Sequence, residues 1–346
     1  MAGWCSNLCG QCATIGAAAS VALAALFYSP VSAAQTYLLR ISTENTPSHV
    51  QTRALARFAE RVEAASDGQI DVEFYHSARL FRDRDVIAAL AAGKVEMAVP
   101  GTWQLDRYVP DIGVYMLPLF YGLSAAEQHR VRDGELGIEI SRRIESDLSV
   151  HVPGRWLDLG HAQLYFSEQQ VRSHEDLQGL RIRIPGGIAN QERLEAFGAE
   201  AKVIAWPDLP QALRDKRLDG MLSTHETVRS AALWESGIRY VFEDREYFAQ
   251  YVPLLGGRFW NGLPDDLKTV VDQAWEGVVD QEREDAIAAQ NAARRELEVN
   301  GISIVVPDQA ALAQWRAIAR RKEAGIVAQV GIDPQLVTQA EKTLDH

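Results

Sequence analysis

Short stretches in which hydrophobic and polar residues alternate are separated by segments with helical spacing along much of the chain. Tyr37–Ser42 and Gln69–Tyr75 alternate as strands, and Val50–Ala65 between them carries its apolar residues on one helical face. Arg84–Ala92 is predicted to be a second helix and Val95–Val99 a third strand. Strand–helix–strand order with such short connections predicts parallel strands joined by right-handed crossovers.

A second set of strands and helices follows Gly160. The pattern predicts strands at Ala162–Ser167, Arg181–Ile184, Ala201–Ile204, Gly220–Leu222 and Tyr251–Leu255, and helices at Asn190–Ala196, Asp208–Asp215, Leu267–Leu297, Gln309–Ala328 and Pro334–Leu344. Two α/β halves that the chain joins more than once predict two lobes with a cleft between them, which is a common ligand site. The unusually long helix from Leu267 is expected to brace both lobes.

Two turns in the first half come directly after predicted strands. The turn around Glu44 follows the first strand, and the loop at Trp103 follows the third. Because ligands gather at the carboxyl ends of parallel strands, we expect both residues to face the cleft.

The segment Gly-Leu-Arg-Ile-Arg-Ile-Pro at 179–185 combines a buried strand with two arginines. Alternation puts Ile182 and Ile184 on one side and Arg181 and Arg183 on the other, just before a Gly-Gly turn. A guanidinium is a planar fork of donors that stays charged, so at the mouth of a cleft it can bind a carboxylate or phosphate. Arginines at strand edges are also commonly solvated or paired within the fold, and this stretch alone leaves both readings open.

The first 34 residues have the order of a secretory signal peptide. They contain no charged side chain, and the apolar run Ala13–Phe27 is followed by Pro30 and the small-residue pattern Val31-Ser32-Ala33. The leader departs from the usual pattern because it has no Lys or Arg before the apolar run. A retained membrane anchor is the alternative, although the run is short for a membrane span.

All three cysteines, Cys5, Cys9 and Cys12, lie in this leader. Their spacing imitates an iron–sulfur motif of radical enzymes, but a cleavage site is predicted directly after them and no folded domain would hold a cluster. We therefore assign no cluster. Without cysteines, the mature chain would form no disulfide and would depend on its hydrophobic core.

Composition narrows the class of protein further. The chain is 47% hydrophobic, which suits two lobes of ordinary size, and its formal net charge is -12. A strongly acidic chain does not favour nucleic-acid binding, which depends on neutralising phosphates. Beyond the leader, no segment is apolar enough to span a bilayer.

Four stretches give the chain its resemblance to a known family. They are Phe58–Val62 with Asp67–Ile70, Leu117–Phe120, Asp176–Pro185, and Ala212-Leu213 with Leu218–Gly220. The third is close to the signature D-L-x-G-L-K-x-R-x-P, and the fourth resembles A-L-x-x-x-x-V-D-G. Together they resemble the DctP-type solute-binding subunit of tripartite ATP-independent periplasmic (TRAP) transporters over nearly the whole chain after the leader.

The resemblance implies a fold and its division into lobes. The fold class is α/β, a two-lobed periplasmic binding protein fold with a long bridging helix. We expect a signal peptide at 1–34, one lobe from 35–160 plus about 249–288, and the other from 161–248 plus about 289–346. The lobes are expected to hinge about strands near Gly160 and Tyr251.

The resemblance also implies site residues. The signature arginine falls on Arg183, expected to form a bidentate salt bridge with a ligand carboxylate. Trp206 is expected to be a wall of the pocket, and Ser223 stands where the family has an asparagine. Many sugar-acid binders carry a second arginine where this chain has Gln163, which argues against a large or doubly charged sugar acid. Tyr247 completes the candidate ligand-binding residues, with Glu44 and Trp103 named above.

Catalytic interpretations find little support in the motifs. His225-Glu226-Thr227-Val228-Arg229 begins like the zinc motif H-E-x-x-H, but Arg229 stands where the second histidine must be. Ser223 and His225 could share a face of a strand, yet no G-x-S-x-G motif makes Ser223 a nucleophile. We expect no catalytic residue, metal or cofactor.

The resemblance finally implies a function outside the inner membrane. The protein would capture a small organic acid in the periplasm and deliver it to TRAP membrane permease subunits that an ion gradient drives. Three alternatives remain open at this point. They are a receptor of the same fold for a sensor kinase, a binder of a phosphate ester or amino alcohol, and an extracytoplasmic enzyme.

Overall fold

A computed structural model describes residues 36–345, and the predicted signal peptide at 1–34 lies outside these residues. The strands are β1 (Tyr37–Ser42), β2 (Ile70–Tyr75), β3 (Met97–Ala98), β4 (Val150–His151), β5 (Leu157–Phe166), β6 (Arg181–Ile184), β7 (Glu200–Val203), β8 (Gly220–Ser223), β9 (Tyr240–Tyr251), β10 (Leu254–Gly256) and β11 (Ser303–Val305).

The α-helices are α1 (Val50–Ala65), α2 (Asp83–Ala91), α3 (Thr102–Leu105), α4 (Ala125–Arg132), α5 (Glu135–Leu148), α6 (Ile188–Glu195), α7 (Leu209–Arg214), α8 (His225–Ser230), α9 (Gly257–Gly262), α10 (Asp265–Val299), α11 (Gln309–Val330) and α12 (Pro334–Leu344). Short 3₁₀ segments occupy Pro110–Met116, Pro118–Phe120, His174–Leu177, Trp206–Asp208 and Leu233–Ser236.

Two mixed sheets carry the two lobes, which confirms the predicted two-lobed α/β fold. The first lobe is built on a five-stranded sheet in the order β2-β1-β3-β10-β4, and β1 is parallel to β2 and β3. The second lobe is built on a six-stranded sheet in the order β11-β9-β5-β8-β6-β7, in which β6 is parallel to both of its neighbours. The carboxyl ends of β1, β3, β6 and β8 therefore bring their following loops to the cleft.

The chain passes between the sheets at a proline. Tyr251–Leu255 is predicted as one strand, but the structure ends β9 at Tyr251 and begins β10 at Leu254 in the other sheet. Pro253 lacks an N–H donor and restricts the residue before it, so the ladder cannot continue. Most of β9 has no counterpart in the predicted elements, because it buries Asp244 and Glu246 and so lacks a readable apolar pattern.

The long helix α10 braces both lobes, as predicted. Its 35 residues pack on α1 of the first lobe and on β5 and α8 of the second. Trp275 is fully buried, edge-on to Phe58 with ring centroids 5.4 Å apart. Further along, Gln290 accepts a hydrogen bond from the Glu226 backbone N–H and donates one to the Leu159 carbonyl. No described helix is both long and apolar enough to cross a membrane.

The last helix of the chain packs on helices that come before β4 in the sequence. Helix α12 is capped by Asp333, with Pro334 in its first turn, and it packs on α4 and α5, which precede β4 of the first sheet. The assignment of about 289–346 to the second lobe stays a prediction. The remaining bounds of the two lobes stay predictions as well.

Candidate ligand-binding site

A cavity of about 340 Å³ lies between the two lobes. Of the seven candidate ligand-binding residues, the cavity wall includes six: Glu44, Trp103, Arg183, Trp206, Ser223 and Tyr247. These six residues lie on one contiguous surface, assembled from the loops after β1, β3 and β7 and from strands β6, β8 and β9.

Arg183 lies in the buried strand β6 and faces this cavity. Ile182 and Ile184 on either side are fully buried in the second lobe, and alternation turns Arg183 to the opposite side. Its side chain is only 4% exposed, its Nε donates to the Ile204 carbonyl at 2.9 Å, and its guanidinium carbon lies 5.8 Å from the ring centroid of Trp206.

The two Nη groups of Arg183 have no hydrogen-bond acceptor among residues 36–345, and no carboxylate oxygen from that range lies within 4.0 Å of the guanidinium. Burial lowers the pKa of Arg183 to about 10, although Glu44 and Asp83 oppose the shift. The side chain is still a cation at neutral pH. It is therefore a buried fork of donors directed at the cavity.

Arg181, two residues earlier in β6, has a different environment. It is paired with Asp219 through two contacts, Nε to Oδ2 at 2.9 Å and Nη2 to Oδ1 at 2.7 Å. Its side chain is 40% exposed. Strand alternation alone does not separate the two arginines, whereas the family signature selects Arg183. The structure gives Arg181 an internal partner and directs Arg183 into the cleft.

Gln163 does not line the cavity, unlike its strand neighbour Ser223. The two residues are directly opposite each other in the β5–β8 ladder, but the β5–β9 pairing shifts register between Ala162 and Leu164. This irregularity leaves Ala162 in the cavity wall, while the Gln163 Oε1 accepts a hydrogen bond from the Arg245 backbone N–H at 3.1 Å. The Gln163 side chain is thus hydrogen-bonded to the backbone of β9 and does not face the cavity.

Two carboxylates face Arg183 from the first lobe. The Oε2 of Glu44 accepts a hydrogen bond at 2.5 Å from the backbone N–H of Asp83, the first residue of α2. Burial raises the pKa of Glu44, although the Asp83 N–H opposes the shift. Burial together with the neighbouring Glu44 charge raises the pKa of Asp83 well above its ordinary value.

An aromatic wall completes the cavity. It consists of Trp103, Tyr247 and Tyr251, with the Trp103 ring edge-on to Tyr251 at 5.5 Å and to Tyr247 at 6.5 Å between centroids. The hydroxyl of Tyr247 is 3.0 Å from the Thr102 hydroxyl, and the hydroxyl of Tyr251 accepts from Asn45 at 3.1 Å. These hydrogen bonds fix the rings.

The two lobes contact each other across the mouth of the cavity. The carboxylate of Asp106 accepts from the backbone N–H of Ile188 at 2.5 Å at the start of α6, and Arg82 pairs with Asp208 at 2.9 Å. A Cβ at position 186 would lie 3.0 Å from the Trp103 carbonyl oxygen, and Gly186 has a φ of +140°. Gly186 thus permits an approach of the lobes that a larger residue would obstruct, and the arrangement is a closed cleft.

A second buried charge cluster lies outside the cavity. One ring nitrogen of His174 is 3.2 Å from Asp244 and 3.1 Å from Glu246, and Arg193 reaches Glu246 at 3.1 Å. The His174 and carboxylate atoms are close enough to hold a metal. The Arg193 guanidinium already supplies positive charge there, so the cluster is best described as a buried ion network.

The pH behaviour of this cluster can be predicted. Burial alone would lower the pKa of His174, but the carboxylates of Glu246 and Asp244 outweigh it and raise the pKa to about 9. The ion network therefore stabilises the fold fully below the ordinary histidine pKa of 6.5, and this contribution is lost as pH rises through 9. Imidazole NMR, with His174→Gln to assign the signal, should show deprotonation near pH 9; titration near 6.5 would contradict this.

Several cavity residues are not among the candidates named from the sequence, including Asp83, Asp106, Asn45 and Tyr251. Asn45 follows Glu44 directly, and Asp106 comes one helical turn after Trp103. Their closeness in sequence to these candidates could have indicated that they line the cavity. Asp83 had no such signal, since it is the first residue of α2 and precedes the apolar spacing of that helix.

Comparison with known proteins agrees with this architecture. The family model for bacterial extracellular solute-binding proteins, family 7 (DctP), matches residues 41–328. A C4-dicarboxylate-binding periplasmic protein, DctP, of Rhodobacter capsulatus is 25% identical over 287 residues, covering 81% of this chain and 85% of that protein.

Solved structures show the same fold. The sugar acid-binding protein DctPAm of Advenella mimigardefordensis, in complex with galactonate, superposes with a TM-score of 0.84 at 19% identity, covering 90% of this chain and 98% of that one. A TRAP periplasmic solute-binding protein of Sulfurospirillum deleyianum with bound succinate gives 0.82 at 20% identity, covering 89% and 99%. Since the family model spans most of the sequence, this chain belongs to the DctP family, family 7 of the bacterial extracellular solute-binding proteins.

Proposed function

We propose that this protein is the extracytoplasmic solute-binding subunit of a TRAP transporter and that it captures a small carboxylate with Arg183. The observation that carries the proposal is the buried guanidinium of Arg183, directed into a cavity between two lobes with both Nη groups free of acceptors among the described residues. A planar carboxylate matches such a fork in two parallel hydrogen bonds. The galactonate and succinate bound to the two solved relatives share this group.

Capture proceeds by closure of the lobes. In an open form, Arg183 and Trp206 line one wall of a wet cleft and the loops of Glu44 and Trp103 line the other. A carboxylate pairs with Arg183, and the lobes then rotate about β5 and β9. Closure excludes water, which lowers the local dielectric and strengthens the ion pair. The solute favours the closed form only to the extent that it binds that form more tightly.

The remaining cavity residues have supporting roles in this proposal. Trp206 supports the guanidinium and forms a wall beside it, and Ser223 offers a hydroxyl at the end of β8. Trp103 and Tyr247 cover the apolar part of the solute from the first lobe and from β9. Glu44 supplies an acceptor opposite Arg183, and we assign no ligand contact to Gln163.

A screen by thermal shift tests the acid assignment. Small carboxylates, phosphates, polyols and amino alcohols would each be added to the purified protein, and a bound solute raises the melting temperature by mass action. We expect a shift with compounds that carry a carboxylate. A shift only with uncharged or purely cationic compounds, or only with phosphates, would contradict the proposal.

The protein's partner and location require experiments in cells. We propose that residues 1–34 direct export and are removed, and that the mature protein meets membrane permease subunits in the periplasm. Deletion of the gene should abolish uptake of the captured solute. Intact uptake combined with loss of a transcriptional response would instead identify a receptor for a sensor kinase, and turnover of the bound solute would identify an enzyme.

A further inference from the structure

The buried charge around the cavity has the opposite sign to the one expected of an anion receptor. Arg183 is the buried cation of the described cavity wall, whereas Glu44, Asp106 and the half-buried Asp83 are carboxylates. Two further arginines that line the cavity, at positions 84 and 107, are exposed at its rim. Water screens such exposed charges far more than buried ones.

This balance limits what Arg183 can accept. Asp106 already receives the Ile188 N–H, and Glu44 receives the Asp83 N–H. Even if Glu44 and Asp83 together held one proton, the carboxylate that remained would cancel the charge of Arg183. A solute carrying only a carboxylate would therefore add an uncompensated negative charge to a closed, poorly solvated cavity, which is strongly unfavourable. A dicarboxylate would add two.

The aromatic wall offers a surface that favours a positive group. Trp103 follows β3 of the first lobe, and its ring packs edge-on against Tyr247 and Tyr251 of strand β9, which holds the three rings at fixed angles. Ammonium and quaternary ammonium groups bind to the faces of such rings, with Trp the strongest. The described cavity wall thus combines carboxylates and aromatic rings with one buried guanidinium, that of Arg183.

We propose that the solute is a zwitterion, whose carboxylate pairs with Arg183 and whose ammonium or quaternary ammonium group lies between Glu44 and the aromatic wall. This inference rests on the proposed function and specifies its ligand class. Such a molecule brings no net charge into the cavity, so both the guanidinium and the facing carboxylate have a partner after closure.

Sets of probes that differ in one end group test the inference by titration calorimetry. One set has three carbons beyond the carboxylate and consists of γ-aminobutyrate, butyrate and glutarate. A second set has two and consists of β-alanine, propionate and succinate. Glycine betaine is paired with tert-butylacetate, in which a carbon replaces the charged nitrogen. We expect at least one zwitterion to bind on the order of tenfold or more tightly than its mono- and dicarboxylate matches. A panel in which no zwitterion binds more tightly than its matches overturns the inference.

Glu44→Gln supplies the matching test on the protein, since the amide retains an acceptor for the Asp83 N–H and removes only the charge. We expect the affinity for the preferred zwitterion to fall on the order of tenfold, while the affinity for its matched monocarboxylate rises. Glu168→Gln, which removes one exposed carboxylate far from the cavity, controls for the change in net charge. Equal losses for both ligands in Glu44→Gln would contradict a cation site at Glu44.

The outcome for the ligand class is separable from the outcome for the proposed function. If a dicarboxylate binds most tightly and its binding requires Arg183, the zwitterion inference fails and carboxylate capture stands. If binding of every probe is indifferent to Arg183, the proposed function itself fails.

Discussion

Arg183→Ala is expected to remove nearly all affinity for the captured carboxylate. Truncating one partner of a buried, hydrogen-bonded charge pair costs about 2–5 kcal/mol, because the solute carboxylate stays desolvated without its donors. Here the loss includes both Nη groups, and the facing carboxylates of Glu44 and Asp83 would then repel the solute without compensation. Titration calorimetry with the tightest-binding carboxylate of the screen measures the effect.

Two further variants separate this effect from general damage. Arg183→Lys should recover little affinity, since an ammonium is a point charge that cannot match the two oxygens of a carboxylate in parallel. Arg181→Ala removes an arginine from the same strand whose partner is Asp219 at the surface, so its affinity should stay close to that of the wild type. Wild-type affinity in Arg183→Ala, or an equal loss in Arg181→Ala, would refute the role of Arg183.

Arg193→Met is expected to destabilise the fold by about 3–5 kcal/mol, as for a buried ion pair that loses one partner. Arg193 is 2% exposed and lies 3.1 Å from Glu246 and 3.8 Å from Asp244, with its guanidinium carbon 5.7 Å from the Tyr121 ring centroid. Met replaces much of the volume but leaves two buried carboxylates with only His174 to compensate them. Urea unfolding gives the change in the free energy of unfolding.

The control for this variant removes a partly exposed arginine of α10 that pairs with Glu243, a neighbour of Asp244 on β9. Arg294→Met removes one of two partners of Glu243, because His225 also lies 3.1 Å from that carboxylate. Arg294 is 35% exposed, so water replaces much of the lost interaction and the cost should be about 0–1 kcal/mol. An Arg193→Met protein as stable as Arg294→Met would show that the buried network contributes little. It would also remove the basis for the predicted pH dependence of His174.

Periodic segments of the sequence predicted their elements well. Tyr37–Ser42, Val50–Ala65 and Pro334–Leu344 have the predicted bounds, since their apolar spacing and capping residues agree with the tertiary structure. Most of strand β9 could not be predicted because ion pairs, rather than apolar side chains, stabilise its buried position. When a charged residue is buried because it pairs with a residue distant in the chain, the local pattern of apolar residues does not reveal that burial.

Local motifs also located some residues of the candidate site, whereas contacts between distant segments determined the others. Arg183, Trp206 and Ser223 could be located because short motifs tie each residue to the end of a strand. Gln163 could not be excluded, since the register shift that turns it to Arg245 depends on the pairing with β9. Asp83 and Asp106 meet Arg183 and Ile188 only across the closed cleft, and that geometry is a property of two lobes together.

A crystal structure of the protein with its tightest-binding solute tests the central claim most directly. We expect closed lobes and a solute carboxylate that accepts from the guanidinium of Arg183 at about 2.8 Å in a bidentate pair. A guanidinium that points to bulk solvent, or that pairs with Glu44 or Asp83 while the solute carboxylate binds elsewhere, would contradict the account.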